Sequence, residues 1–197
     1  PFYDGNSKLL ETMFTHDELM RKDLAPLPFS GKEVAAASKL MKGKIVPGAQ
    51  ATKARFIQDA GNFRILHLAT HGRADNRVGD YAFLVFSEIK DSIDNELLYV
   101  KDLYNLSLNA DLVVLSACET GIGKLQRGEG IISLARAFAY AGAKSMVTSL
   151  WSVNDASTYE LMRYFYRDLK KGRAKDEALR NARLDYLKRE KTAERCH

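Results

Sequence analysis

The sequence predicts an α/β domain built on a largely parallel sheet, and three observations point to it. Helix-like and strand-like periodicities alternate from Lys32 onward. Leu112-Val113-Val114-Leu115 is a continuous aliphatic run, the pattern of a strand buried on both faces. The 197 residues, 46% of them hydrophobic, hold enough apolar material for one domain with a sizeable core.

The elements follow in order. Residues 1–28 carry little periodicity and end in Ala25-Pro26-Leu27-Pro28, whose prolines disfavour regular structure. They are expected to form a leader into the domain or the remnant of a preceding module, with the domain itself spanning 29–197. Val34, Ala37 and Met41 share one helical face, and Gly43 stops that helix. A second short helix fits Thr52–Ala60. Phe63–Ala69 reads as a strand, Thr70–Asp80 as a polar turn-rich run, Tyr81–Ser87 as a strand and Glu96–Val100 as a short one. A short helix over Lys101–Leu106 leads to the aliphatic strand. Gly128–Ala141 is a helix with Ile131, Leu134, Ala135 and Phe138 on one stripe. Lys144–Leu150 is the next buried strand. Two helices close the chain, Asp155–Leu169 through Met162, Phe165, Tyr166 and Leu169, and then Asp176–Arg189.

Composition narrows the function classes. The net charge is +5, and the basic stretch Lys170–Arg195 is interleaved with Asp176, Glu177, Asp185 and Glu190. Opposite signs at helical spacing make a solvated helix face, so no nucleic-acid partner is expected. No apolar run approaches the ~18–20 residues of a bilayer span, and the first residues lack the order of a secretory signal. No membrane partner is expected, and the localisation implied is cytoplasmic. Two cysteines, Cys118 and Cys196, make no disulfide framework, and Cys196 lies in the charged tail as a bystander.

In a parallel sheet, chemistry collects beyond the carboxyl ends of the strands. Two such ends stand out. One strand delivers Thr70-His71-Gly72, the other Ser116-Ala117-Cys118-Glu119-Thr120-Gly121. If the strands are parallel, His71 and Cys118 emerge on one edge. A thiolate nucleophile needs a nearby imidazole to protonate a leaving amine. It also needs backbone N–H donors for an oxyanion, for which Gly72 and Cys118 itself are candidates. Gly121 and Gly123 let the chain turn after the nucleophile. From spacing alone, a small buried thiol remains the competing account of Cys118. His67, inside an apolar strand, is expected to be a satisfied core histidine. A metal site on His67 and His71 lacks a third ligand and the glutamate of zinc proteases, so no metal is expected. Gly121–Gly130 fits no Walker or dinucleotide spacing, and no cofactor is expected.

Three segments together carry a resemblance. His67-Leu68-Ala69-Thr70-His71-Gly72, Leu115-Ser116-Ala117-Cys118-Glu119-Thr120-Gly121 and Ser149-Leu150-Trp151-Ser152-Val153-Asn154-Asp155 occur in the order found in CHAT domains. The likeness runs from about Leu27 to about Leu187. CHAT domains group with caspases, separases, legumains and gingipains. The resemblance implies a caspase-like three-layer α/β/α sandwich around a mostly parallel sheet, a catalytic dyad of His71 and Cys118, and peptide-bond hydrolysis. It also implies that a protein substrate pairs as an extended strand with the edge Ser149–Ser152. Trp151 would then wall a pocket or serve as a core aromatic. Asp155 would receive a basic P1 side chain or, with Asn154, cap the following helix. Ser116 stands where metacaspases carry an acid, and it commits the pocket to neither charge. Glu119 would colour the pocket or face solvent. CHAT domains commonly follow tetratricopeptide repeats, none of which is visible in residues 1–28. Many end in a further Trp-containing strand, which is not seen before His197.

Two functions of different class follow. The first is a cysteine endopeptidase regulated by a partner or by a missing repeat module. The second is a non-catalytic interaction scaffold on the same fold.

Overall fold

The computed structural model describes residues 26–73, 82–88, 96–116, 118–119, 129–149 and 153–194. The expected leader up to residue 25, Gly121, Gly123, Trp151 and Cys196 lie outside these residues, and so do the side chains of Cys118 and Glu119.

Helix α1 spans Ser30–Met41 and ends where Lys42 turns left-handed at φ 56°. Thr52 caps α2, Lys53–Asp59, by accepting from the Arg55 N–H. Strand β1 is Ile65–Leu68 and β2 is His71–Arg73. Strands β3, Phe83–Val85, and β4, Leu97–Tyr99, precede the single-turn α3, Val100–Leu103. The aliphatic run forms β5, Leu112–Leu115, followed by β6, Cys118–Glu119. Helix α4 is Glu129–Tyr140 and β7 is Met146–Thr148. Asn154 caps α5, Asp155–Lys170, through its side-chain oxygen on the N–H groups of Ala156 and Ser157. Helix α6, Lys175–Glu194, closes the described chain.

Among the described residues the strands form two sheets. The first is parallel, in the order β1-β5-β7. The second, in the order β4-β3-β2-β6, is mixed: β2 and β6 pair in parallel, while β2–β3 and β3–β4 are antiparallel. The alternation expected from sequence is thus borne out as a mixed α/β domain with a parallel sheet. The polar run after Thr70 departs from expectation, because its first residues make β2. Their pairing comes from β3 and β6, which are distant in sequence, so no local alternation announces the strand.

Side chains alternate across β5, and each set has its own helices. Val113 and Leu115 pack with Phe56, Ala60, Leu134, Ala137 and Phe138, which come from α2, the turn after it and α4. Leu112 and Val114 pack with Ala37, Met162, Phe165, Tyr166, Ala178 and Ala182 of α1, α5 and α6. A strand covered on both faces has no solvent side, which explains its uninterrupted aliphatic sequence. The glycine after α4 is required by geometry. Gly142 sits at φ +112°, and a Cβ there would lie 2.3 Å from the Leu108 carbonyl oxygen.

Two buried acids hold helix ends. Glu96, 2% exposed, accepts from the first N–H of α2, that of Lys53, at 2.6 Å. Asp168, also 2% exposed, sits in the last turn of α5, where the helix dipole disfavours an anion. Arg167 at 2.9 Å and Lys171 at 3.3 Å supply the compensating charge. The Arg167 hydrogen bond holds the Asp168 carboxyl below the usual carboxylate range.

These contacts give two expectations. Gly142→Ala destabilises the domain by at least about 2 kcal/mol, through left-handed strain and the clash with Leu108, measured by urea denaturation. Asp168 titrates lower in the folded chain, so its stabilisation is complete above the ordinary aspartate range and is lost as pH falls below about 4. Asp168→Asn should flatten the acid limb of a stability-against-pH curve, and an unchanged limb refutes the assignment.

Candidate active site

Strands β1 and β5 pair in register from Ile65↔Leu112 to Leu68↔Leu115. The same two stretches of chain pair again in parallel as β2 and β6. On resumption His71 stands opposite Cys118 and Gly72 opposite Glu119. Parallel neighbours lie about 4.8 Å apart across the ladder, so the backbone brings these positions side by side. The crossing point is tied down from both strands. The Ser116 N–H donates to the Leu68 carbonyl at 2.9 Å, and the Thr70 hydroxyl donates to the Val85 carbonyl at 2.5 Å. These bonds fix where each strand restarts. His71 and Gly72 are half-buried, and Ser116 is buried.

The remaining candidates are placed as follows. Asp155, the first residue of α5, accepts from the Phe29 N–H through Oδ2 at 2.6 Å. That bond ties the start of α1, which has no side-chain cap of its own, to the start of α5. The capping oxygen of α5 belongs to Asn154. Strand β7 ends at Thr148, just before the Ser149–Ser152 segment, and it is the last strand of the parallel sheet among the described residues. Among the described residues no group of three or more His, Cys, Asp or Glu side chains is arranged to hold a metal ion. No described helix is long and apolar enough to cross a membrane.

His67 meets the expectation of a satisfied core histidine at one ring nitrogen only: Nδ1 is hydrogen-bonded, while Nε2 has a close carboxylate contact without hydrogen-bond geometry, and both neighbours come from far away in sequence. Nδ1 lies 2.7 Å from the Tyr166 hydroxyl of α5, and Nε2 lies 2.9 Å from Oε1 of Glu33 on α1. Glu33 is only 2% exposed. Burial, and then the negative charge of Glu33, push the Tyr166 hydroxyl far above its ordinary value, so it remains a neutral O–H. A neutral tyrosine can donate to Nδ1, which leaves Nε2–H to face the carboxylate. Sequence reasoning missed Glu33 because nothing local distinguishes it from a solvent-facing helix acid. Tyr166 was legible only as part of an apolar stripe.

The cluster therefore clamps α1 and α5 onto β1, four residues upstream of His71. Glu33→Ala, which leaves the polar Nε2 of His67 without its carboxylate neighbour and empties a buried side-chain site, should cost about 2 kcal/mol. Tyr166→Phe should cost about 1 kcal/mol, since one hydrogen bond is lost with little change in volume. Denaturant midpoints check both values, and equal losses for the two variants contradict the arrangement.

Comparison with known proteins places these features in a family. The CHAT domain family matches residues 8–197. Tetratricopeptide repeat protein 28 of Mus musculus is 26% identical, over 75% of this chain and 7% of its own length. Tetratricopeptide repeat protein 28 of Homo sapiens is 26% identical, over 80% of this chain and 8% of its own. The chain thus spans less than a tenth of these relatives. With a parallel sheet, helices on both its faces and a family match over nearly its whole length, the chain belongs to the CHAT domain family.

Proposed function

We propose that this chain is the catalytic domain of a cysteine endopeptidase with a caspase-like α/β/α architecture, in which Cys118 is the nucleophile and His71 its proton carrier. The observation that carries the proposal is the register of His71 opposite Cys118 on adjacent parallel strands. Two residues 47 apart in sequence become nearest neighbours across a ladder, as a Cys–His dyad requires.

The chemistry follows from those positions. The Cys118 thiolate attacks the scissile carbonyl carbon and forms a tetrahedral oxyanion, with the N–H groups of Gly72 and Cys118 as donors. Collapse breaks the C–N bond, His71 gives its proton to the departing amine, and a thioester remains on Cys118. Water then attacks the thioester while His71 takes its proton. A second tetrahedral intermediate releases the acid and restores the thiol–imidazole pair. The substrate lies as an added strand along the edge beyond β7. Ser116, Glu119 and Trp151 line the P1 pocket, and Asp155 joins them only by sharing the carboxylate that Phe29 now uses.

The family relatives support a second function as well. They are named as tetratricopeptide repeat proteins, and the region similar to this chain makes up under a tenth of their length. A partner or repeat module that regulates the peptidase, or a scaffold without catalysis, is compatible with that context. Either role suits a cytoplasmic protein.

The two are separated by comparing wild type with Cys118→Ala and His71→Ala in the full-length protein, on a proteome-derived peptide library. Each variant should lose cleavage by at least about a thousandfold. Equal cleavage by wild type and Cys118→Ala sinks the peptidase. Absence of cleavage, together with a Cys118 no more reactive to iodoacetamide than Cys196, favours the scaffold.

A further inference from the structure

Strand β1 has a partner on one side only among the described residues. Its ladder to β5 uses the backbone of alternate residues: the Arg64 carbonyl accepts from Leu112 N–H and the Leu68 carbonyl from Ser116 N–H. The backbone groups of Ile65 and His67 therefore point away from β5, and none of them meets a hydrogen-bonding partner among the described residues. A half-buried sheet edge in that condition is costly, because each unmade backbone bond forfeits the desolvation cost of the group.

Beside this edge lies a cavity of about 580 Å³. Its floor is the outer side of β1, from Phe63 to Leu68. Val34, Ala37 and Met41 of α1 form one wall; Arg55, Phe56 and Asp59 of α2 form the other. The two helices belong to opposite faces of the sheet, so both overhang the edge and leave a gap in the middle layer. The segment Lys44-Ile45-Val46, which joins the two helices, also lines the cavity. The backbone of these three residues likewise makes no hydrogen bond among the described residues. The segment is β-branched at Ile45 and Val46, and Ile45 is exposed.

We propose that Lys44–Val46 is a strap that closes into this gap as an added strand of the sheet, parallel to β1. Topology favours it. The connection from Pro47 to Arg64 contains α2, so the closed strap, α2 and β1 would make one βαβ unit with a crossover of ordinary length. Tethering favours it over an outside peptide, since the strap is held beside the cavity by the left-handed turn at Lys42 and by the Lys44–Asp59 ion pair at 2.9 Å. Glu96 anchors the N-terminus of α2, so the wall opposite α1 stays in place while the strap moves. Closure gives two sets of unmet backbone groups to each other and moves Ile45 out of solvent. It also braces β1 on its second side, and β1 is the strand whose continuation carries His71 and Gly72. The proposal concerns the strap alone and stands whether or not the domain cleaves peptides.

Amide hydrogen exchange followed by NMR on the full chain tests it. In the wild type, the Ile65 and His67 amides should exchange at least about a hundredfold more slowly than unstructured amides. Proline at position 45 or at position 46 removes one strap N–H, and strand alternation makes one of the two disruptive. In that variant, Ile65 and His67 should lose at least tenfold of their protection. Leu66 and Val114 amides, which strand alternation places within the β1–β5 ladder, should keep theirs and so certify that the variant folds. Adding the capped peptide Gly-Lys-Ile-Val-Pro-Gly in excess should restore the lost protection. Fast exchange of Ile65 and His67 in the wild type overturns the proposal. So does protection that survives both Ile45→Pro and Val46→Pro, which would mean that another segment fills the gap.

Discussion

The parallel pairing of β1 with β5 is the constraint on which the rest of this structure depends. Four consecutive residue pairs, Ile65↔Leu112 to Leu68↔Leu115, set the register of two strands that meet only through a long crossover. Because side chains alternate, that register decides which residues enter each of the two cores. A slip of one residue would carry Val113 and Leu115 toward α5, and Leu112 and Val114 toward α4. It would also move His71 out of line with Cys118, since β2 and β6 resume on the register that β1 and β5 establish. Core packing and candidate chemistry are thus set by the same hydrogen bonds.

Around this pair the domain uses buried acids as fasteners. Glu33 joins α1 to β1 through His67, Glu96 joins α2 to the start of β4, and Asp168 gathers Arg167 and Lys171 at the end of α5. Asp155 performs a similar task at the start of α1. Glu96, Asp168 and Asp155 each meet a specific donor, and Glu33 lies against the His67 ring, which repays part of the cost of removing charge from water. Fasteners of this kind add little net stability compared with apolar packing, but they penalise every alternative helix placement heavily. A site assembled at strand ends benefits from that penalty, because its geometry depends on strands that the helices hold.

The gap beside β1 shows the converse case. There the helices overhang an edge whose backbone groups are unmet, and the covering segment lies nearby without pairing. A sheet that gains or loses an edge strand alters the support of everything that strand carries. In this chain it carries both histidines of the His67–Gly72 motif.

Much of the architecture was legible from local pattern. The helical stripes through Ala37 and Met41 and through Met162, Phe165 and Tyr166, the aliphatic β5 run and the Asn154-Asp155 helix start all arise from residue spacing and capping chemistry. Those features depend on neighbours within a turn or two, so a linear reading reaches them. The motifs around His71 and Cys118 were legible for the same reason, as strand ends followed by small residues. By itself, then, the sequence determined the alternation of elements and the candidate dyad. Only the tertiary structure decided that β2 and β6 are strands, that His71 and Cys118 share a register, that Asp155 is engaged by Phe29, and that Glu33 and Tyr166 hold His67. Each of these is a pairing between residues tens of positions apart, and no local periodicity encodes which distant partner will satisfy a given backbone or side-chain group.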